Sequence, residues 1–136
     1  MPKVLNLLPG TKSIHPIFAK KWDDAELWFK KDNKFNKPCG IVGIKLYTSD
    51  LLFGVDKKAR LFAEIWRECF NEYIREFCYM ADCANLSFTW NLCLDNLEFE
   101  WSGFSDTLPL YIAETVKRIL MMRDAALEKI FAQSKE

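Results

Sequence analysis

The chain has 136 residues, room for one domain of ordinary size and too few for two. Half of its residues are hydrophobic, 15% are aromatic and 28% are charged, a globular composition that excludes a disordered tail, a collagen-like repeat and a solvated linker. Nineteen Lys and Arg balance nineteen Asp and Glu; with no basic excess and no local basic patch, no nucleic-acid partner is expected.

Pro2, Pro9, Gly10 and Pro16 interrupt residues 1–25, which read as an extended lead. Ile14, Ile17, Phe18 and Trp22 within it are too apolar to be left in water, so part of it should pack. Glu26 to Phe35 reads as the first strand, carrying Trp28, Phe29 and Phe35, and Asn36-Lys37-Pro38 as a turn. Ile41 to Thr48 reads as the second, with Val42, Ile44 and Leu46 on one face and Gly43, Lys45 and Tyr47 on the other. The two are expected to form an antiparallel pair. Asp50 to Gly54 is a loop.

Asp56 to Cys83 holds the longest periodic stretch. Leu61, Phe62, Ile65, Trp66, Cys69, Phe70, Tyr73, Phe77 and Met80 recur at three and four, with Asp56 as N-cap. The width of that apolar stripe calls for a helix covered on more than one side. Leu86 to Leu94 alternates cleanly, and Asp95-Asn96 reads as a two-residue turn whose members tolerate positive φ. That turn predicts Leu94 opposite Leu97, Leu92 opposite Phe99 and Trp90 opposite Trp101, all on one face. Gly103 ends the return strand. Ser105-Asp106-Thr107 caps a helix bearing Leu108, Tyr111, Ile112, Thr115, Val116, Ile119 and Leu120, with Pro109 tolerated in its first turn. A third helix is expected from about Asp124, with Ala126, Leu127, Ile130 and Phe131. The fold class is therefore α+β: an antiparallel sheet of at least four strands, built from two hairpins, with helices packed on one face in the order ββαββαα.

Catalytic chemistry is scarce. His15 is the one histidine, beside Pro16, so no HxxEH or HExxH zinc box can form. The five cysteines, Cys39, Cys69, Cys78, Cys83 and Cys93, have apolar neighbours and no CxxC spacing; they read as buried free thiols. Glu68, Glu72 and Glu76 form an acidic ridge on the long helix, interleaved with Arg67 and Arg75 as a solvated face would be. There is no GxGxxG, P-loop or GxSxG. No catalytic, cofactor-binding or metal-binding residue is assigned. No signal peptide and no membrane span are read, which together with the thiols leads to an expected cytoplasmic or other reducing compartment.

Three segments carry a resemblance. Leu27-Trp28-Phe29-Lys30-Lys31-Asp32-Asn33-Lys34-Phe35, followed by Lys37-Pro38, resembles the pattern LW(F/Y)KxDxxFxxP. Ile74 to Phe88 sits where LNEYAYxAExAGLSY is usual, and Trp101-Ser102-Gly103-Phe104-Ser105-Asp106-Thr107-Leu108-Pro109 where V-x-G-Y-(N/S)-D-K-x-P is usual. These patterns, in order and at fitting distances from about Pro16 to Phe131, are those of the middle domain of the insulinase (pitrilysin-like) zinc metallopeptidases. Arg75 replaces the usual Asn, Asn85 the usual Gly, and Cys78 and Cys83 residues that are not usually cysteine.

The resemblance implies a parent of four related α+β domains in two halves that close around a peptide-sized chamber. Zinc would lie in its first domain, on HxxEH and a distal glutamate. Residues 26–136 would be an incomplete middle domain, a non-catalytic part of the chamber wall, with the remaining domains and a peptide substrate as partners. No catalytic residue carries over. Two further readings stand beside it: a stand-alone interaction or assembly module working through a sheet edge or helix face, with a homo-oligomer through an exposed sheet edge as one form, and a small enzyme using Cys78 or Cys83 as nucleophile.

Overall fold

The computed structural model describes residues 15–32, 34, 35, 37–48 and 55–122. They fall into two units, one within residues 1–37 and one within 38–136.

In the first unit, β1 (Ile17–Lys21) and β2 (Glu26–Phe29) form an antiparallel hairpin. The Trp22 N–H donates to the Ala25 carbonyl at 2.8 Å to close its turn. Phe18 meets Trp28 edge to face at 5.4 Å, and Lys21 pairs with Glu26 at 3.3 Å. The stretch expected to be a lead thus contains a strand. The strand expected to run to Phe35 ends at Phe29. The cause is local: Asp32 Oδ1 accepts the N–H groups of Lys34 and Phe35 at 2.9 and 3.1 Å. A side-chain-closed turn of this kind takes the backbone out of a ladder.

In the second unit, β3 (Cys39–Tyr47), β4 (Ser87–Leu92) and β5 (Asn96–Phe104) form an antiparallel sheet in the order β3-β5-β4. The α+β class and antiparallel pairing hold; among the described residues there are one two-stranded and one three-stranded sheet, and the single sheet of four or more strands is not found among them. The element order among the described residues is βββαββα. The strand over residues 41–48 pairs along its length with β5: Val42 lies opposite Trp101, Ile44 opposite Phe99 and Leu46 opposite Leu97. The Ser105 N–H, donating to the Pro38 carbonyl at 2.9 Å, holds the far end of this pairing.

The β4–β5 hairpin forms where expected, but its register is displaced by two residues. Leu92 faces Leu97, Trp90 faces Phe99 and Phe88 faces Trp101. Leu94 and Asp95 make the turn, closed by the Cys93 N–H to the Asn96 carbonyl at 2.9 Å, and neither has positive φ. The third strand decides this. The Asp95 carbonyl accepts both the N–H and the hydroxyl of Thr48, at 2.7 and 2.9 Å, and Asn96 is drawn into β5 opposite Tyr47.

Helix α1 (Lys57–Cys83) matches its predicted span. Asp56 caps it, its carboxylate accepting the N–H groups of Lys58 and Ala59 at 2.8 and 3.3 Å. At 27 residues it is about 40 Å long, whereas a nine-residue strand spans about 30 Å. Its first turns overhang the sheet, which leaves Leu61 and Phe62 exposed, and Tyr79 and Met80 face away from the core. Cys69, Phe70, Ile74 and Ala81 are the buried positions.

The helix ends in a Schellman arrangement. The Leu86 N–H reaches the Ala81 carbonyl and the Asn85 N–H the Asp82 carbonyl, both at 3.0 Å, with Asn85 at φ 57°. This explains the departure from the family pattern noted at Asn85. The position demands a left-handed backbone, and Asn is among the side chains that accept one best after Gly. Asn85→Gly is expected to hold or raise stability, by at most about 1 kcal/mol, whereas Asn85→Val should cost about 2 kcal/mol. Urea unfolding of the two variants checks the sign.

Helix α2 (Leu108–Met122) follows Thr107, with Pro109 in the first turn, where no intrahelical N–H is lost. Its N-terminus approaches β3 closely: a Cβ on Gly40 would lie 3.2 Å from Leu108 Cδ2. The helix expected from Asp124 lies outside the described residues.

Both helices pack on one face of the sheet, α1 against β4 and α2 against β5. One buried cluster joins Ala81, Phe99, Trp101, Leu108 and Tyr111; another joins Cys69, Phe70, Ile74 and Met122. Phe77, Phe88, Trp90 and Ile119 pack against both and weld them together. Apart from Leu108 at Gly40, α1 and α2 do not extend over β3. On the same face as the buried Trp101 and Phe99, Val42 and Ile44 are each 38% exposed and Leu46 52%.

Candidate functional site

A hydrolytic metal centre needs three donor side chains converging on one point. Among the described residues no three His, Cys, Asp or Glu groups do so. His15 is exposed and lies in the first unit, two residues before β1. The described residues therefore do not fit a zinc ion.

None of the five cysteines is in a disulfide, but they are not uniformly buried as expected. Cys69 is buried, Cys78 and Cys93 are half-buried, and Cys39 and Cys83 are exposed. Cys39 opens an edge strand and Cys83 ends a helix, so neither lies under the helix layer. Cys78 lies beside Tyr111. Burial pushes the Cys78 thiol above its usual range, a shift the Tyr111 hydroxyl only partly offsets. Burial likewise raises the Tyr111 phenol, with the Cys78 sulfur adding to it. The Arg118 guanidinium, over the Phe77 ring at 4.3 Å and 3.5 Å from Glu114, favours the thiolate too weakly to reverse the shift. A raised pKa keeps Cys78 as the thiol at neutral pH, the unreactive form. Iodoacetamide should therefore label Cys39 and Cys83 at least about tenfold faster than Cys69 and Cys78, as read by peptide mass spectrometry.

The acidic ridge is an ion-pair network on the outer side of α1. Arg67 holds Glu64 and Glu68, each at 2.9 Å, and Arg75 holds Glu72. All are at least partly solvated, so each pair contributes about 0–1 kcal/mol. On the helix-free face of the sheet, Lys45 meets Glu98 at 2.6 Å, and that carboxylate raises the Lys45 ammonium above its usual value.

The surfaces with unmet chemistry are apolar. Phe18, Trp22, Trp28 and Phe35 are exposed in the first unit, where Lys20 sits over Trp22 at 4.7 Å. In the second, a depression of about 380 Å³ on α2 is lined by Ala113, Val116, Lys117, Leu120 and Met121. The bare face of β3 is the third. Alternation put Val42, Ile44 and Leu46 on one face, but it carries no information on whether a helix reaches them.

Comparison with known proteins gives these features a setting. Residues 1–136 match the family described as the middle or third domain of peptidase_M16. The chain is 26% identical over 108 residues to insulin-degrading enzyme-like 2 of Arabidopsis thaliana, covering 79% of this chain and 11% of that protein. It is 24% identical over 121 residues to human insulin-degrading enzyme, covering 88% and 12%. It is 21% identical over 113 residues to the A-factor-processing enzyme of Saccharomyces cerevisiae, covering 82% and 11%. The chain thus spans roughly a tenth of these relatives, and the patterns at 27–38, 74–88 and 101–109 are accounted for by the family whose model covers them: the chain belongs to the middle, or third, domain of the M16 peptidases.

Proposed function

We propose that this chain is a non-catalytic wall segment of an insulinase-like zinc endopeptidase, contributing chamber surface and contacts to the other domains while the metal is held on chain outside it. The observation that carries the reading is the family match over residues 1–136 together with a set of described residues that offers no three converging metal donors. In the parent, a zinc-activated water would cleave peptides, with a glutamate as general base. A reducing compartment suits the protein, since none of its five cysteines is in a disulfide.

The test uses the chain as it stands. After equilibration with zinc and removal of free metal, elemental analysis should find well under one zinc per chain, and fluorogenic peptides should show no turnover above buffer. Stoichiometric zinc accompanied by turnover overturns the reading. A second reading, a stand-alone interaction module of the same fold, is favoured by one feature: β3 has a single neighbouring strand among the described residues.

A further inference from the structure

We draw no further inference here: the strongest candidate, the apolar outer face of α2 presented by Leu110, Val116, Leu120 and Met121, is a bare helix face, and nothing among the described residues shows what covers it.

Discussion

Gly103→Ala should lower the unfolding free energy of the second unit by about 3 kcal/mol, measured as a shift of the urea midpoint at constant slope. A Cβ built at this position would stand 2.4 Å from Leu86 Cδ2, 3.2 Å from the Asn85 carbonyl oxygen and 3.4 Å from Leu86 Cα. The first contact can yield by a rotamer change, but the other two are backbone. The φ of 156° adds strain, since side chains rarely adopt it. Here β5 passes directly beneath the Schellman turn that ends α1, so the glycine sets how closely the long helix can enter the sheet. A double-mutant cycle separates the parts. Leu86→Ala removes the worst contact, so the pair should cost less than the sum of the two single changes. Strict additivity would show that the steric account is wrong.

Trp101→Ala should cost still more, about 3–5 kcal/mol, because the side chain is 1% exposed and stands at the centre of the aromatic layer. Its ring centre lies 5.1 Å from that of Phe88 and 6.0 Å from that of Phe99. Such a loss is a large part of the 5–15 kcal/mol that stabilises an ordinary domain, and thermal unfolding should broaden or vanish at ambient temperature. Trp101→Phe tests which part of the side chain matters. The indole Nε1 is buried and has no hydrogen-bond partner among the described residues. Removing it therefore breaks no polar contact, and the change should cost only the lost volume, about 1–2 kcal/mol. A phenylalanine variant as unstable as the alanine one would reveal a role for the N–H.

These two residues sit in one of the segments that also betrayed the family, and the overlap has a physical basis. What could be read from the sequence was whatever local chemistry determines. The span of α1 followed from its period and from the Asp56 carboxylate. The start of α2 followed from Thr107 and Pro109. The face shared by Phe88, Trp90, Phe99 and Trp101 followed from alternation. What could not be read was whatever a distant strand decides. A two-residue displacement of the β4–β5 register keeps each apolar residue on its face, so alternation is blind to it; Thr48, bonded to the Asp95 carbonyl, settles the matter from another part of the chain. The pairing of β3 with β5 is likewise a contact between residues some sixty positions apart. The end of β2 was missed for a different reason. Asp32 was read as part of a motif rather than as an acceptor able to close a turn on itself. At the site level, the absence of a zinc box was legible, whereas exposure of Cys39 and Cys83 depended on where the helix layer stops.

The packing of Trp66 on Trp90, edge to face with ring centres 5.4 Å apart, has a use beyond cohesion. One indole belongs to α1 and the other to β4, so the pair straddles the joint between helix layer and sheet. Two indoles this close couple electronically, and their joint signal in near-ultraviolet dichroism disappears once the layers part. The protein thereby carries a label-free optical gauge of that joint, able to distinguish a helix lifting from its sheet from a sheet coming apart.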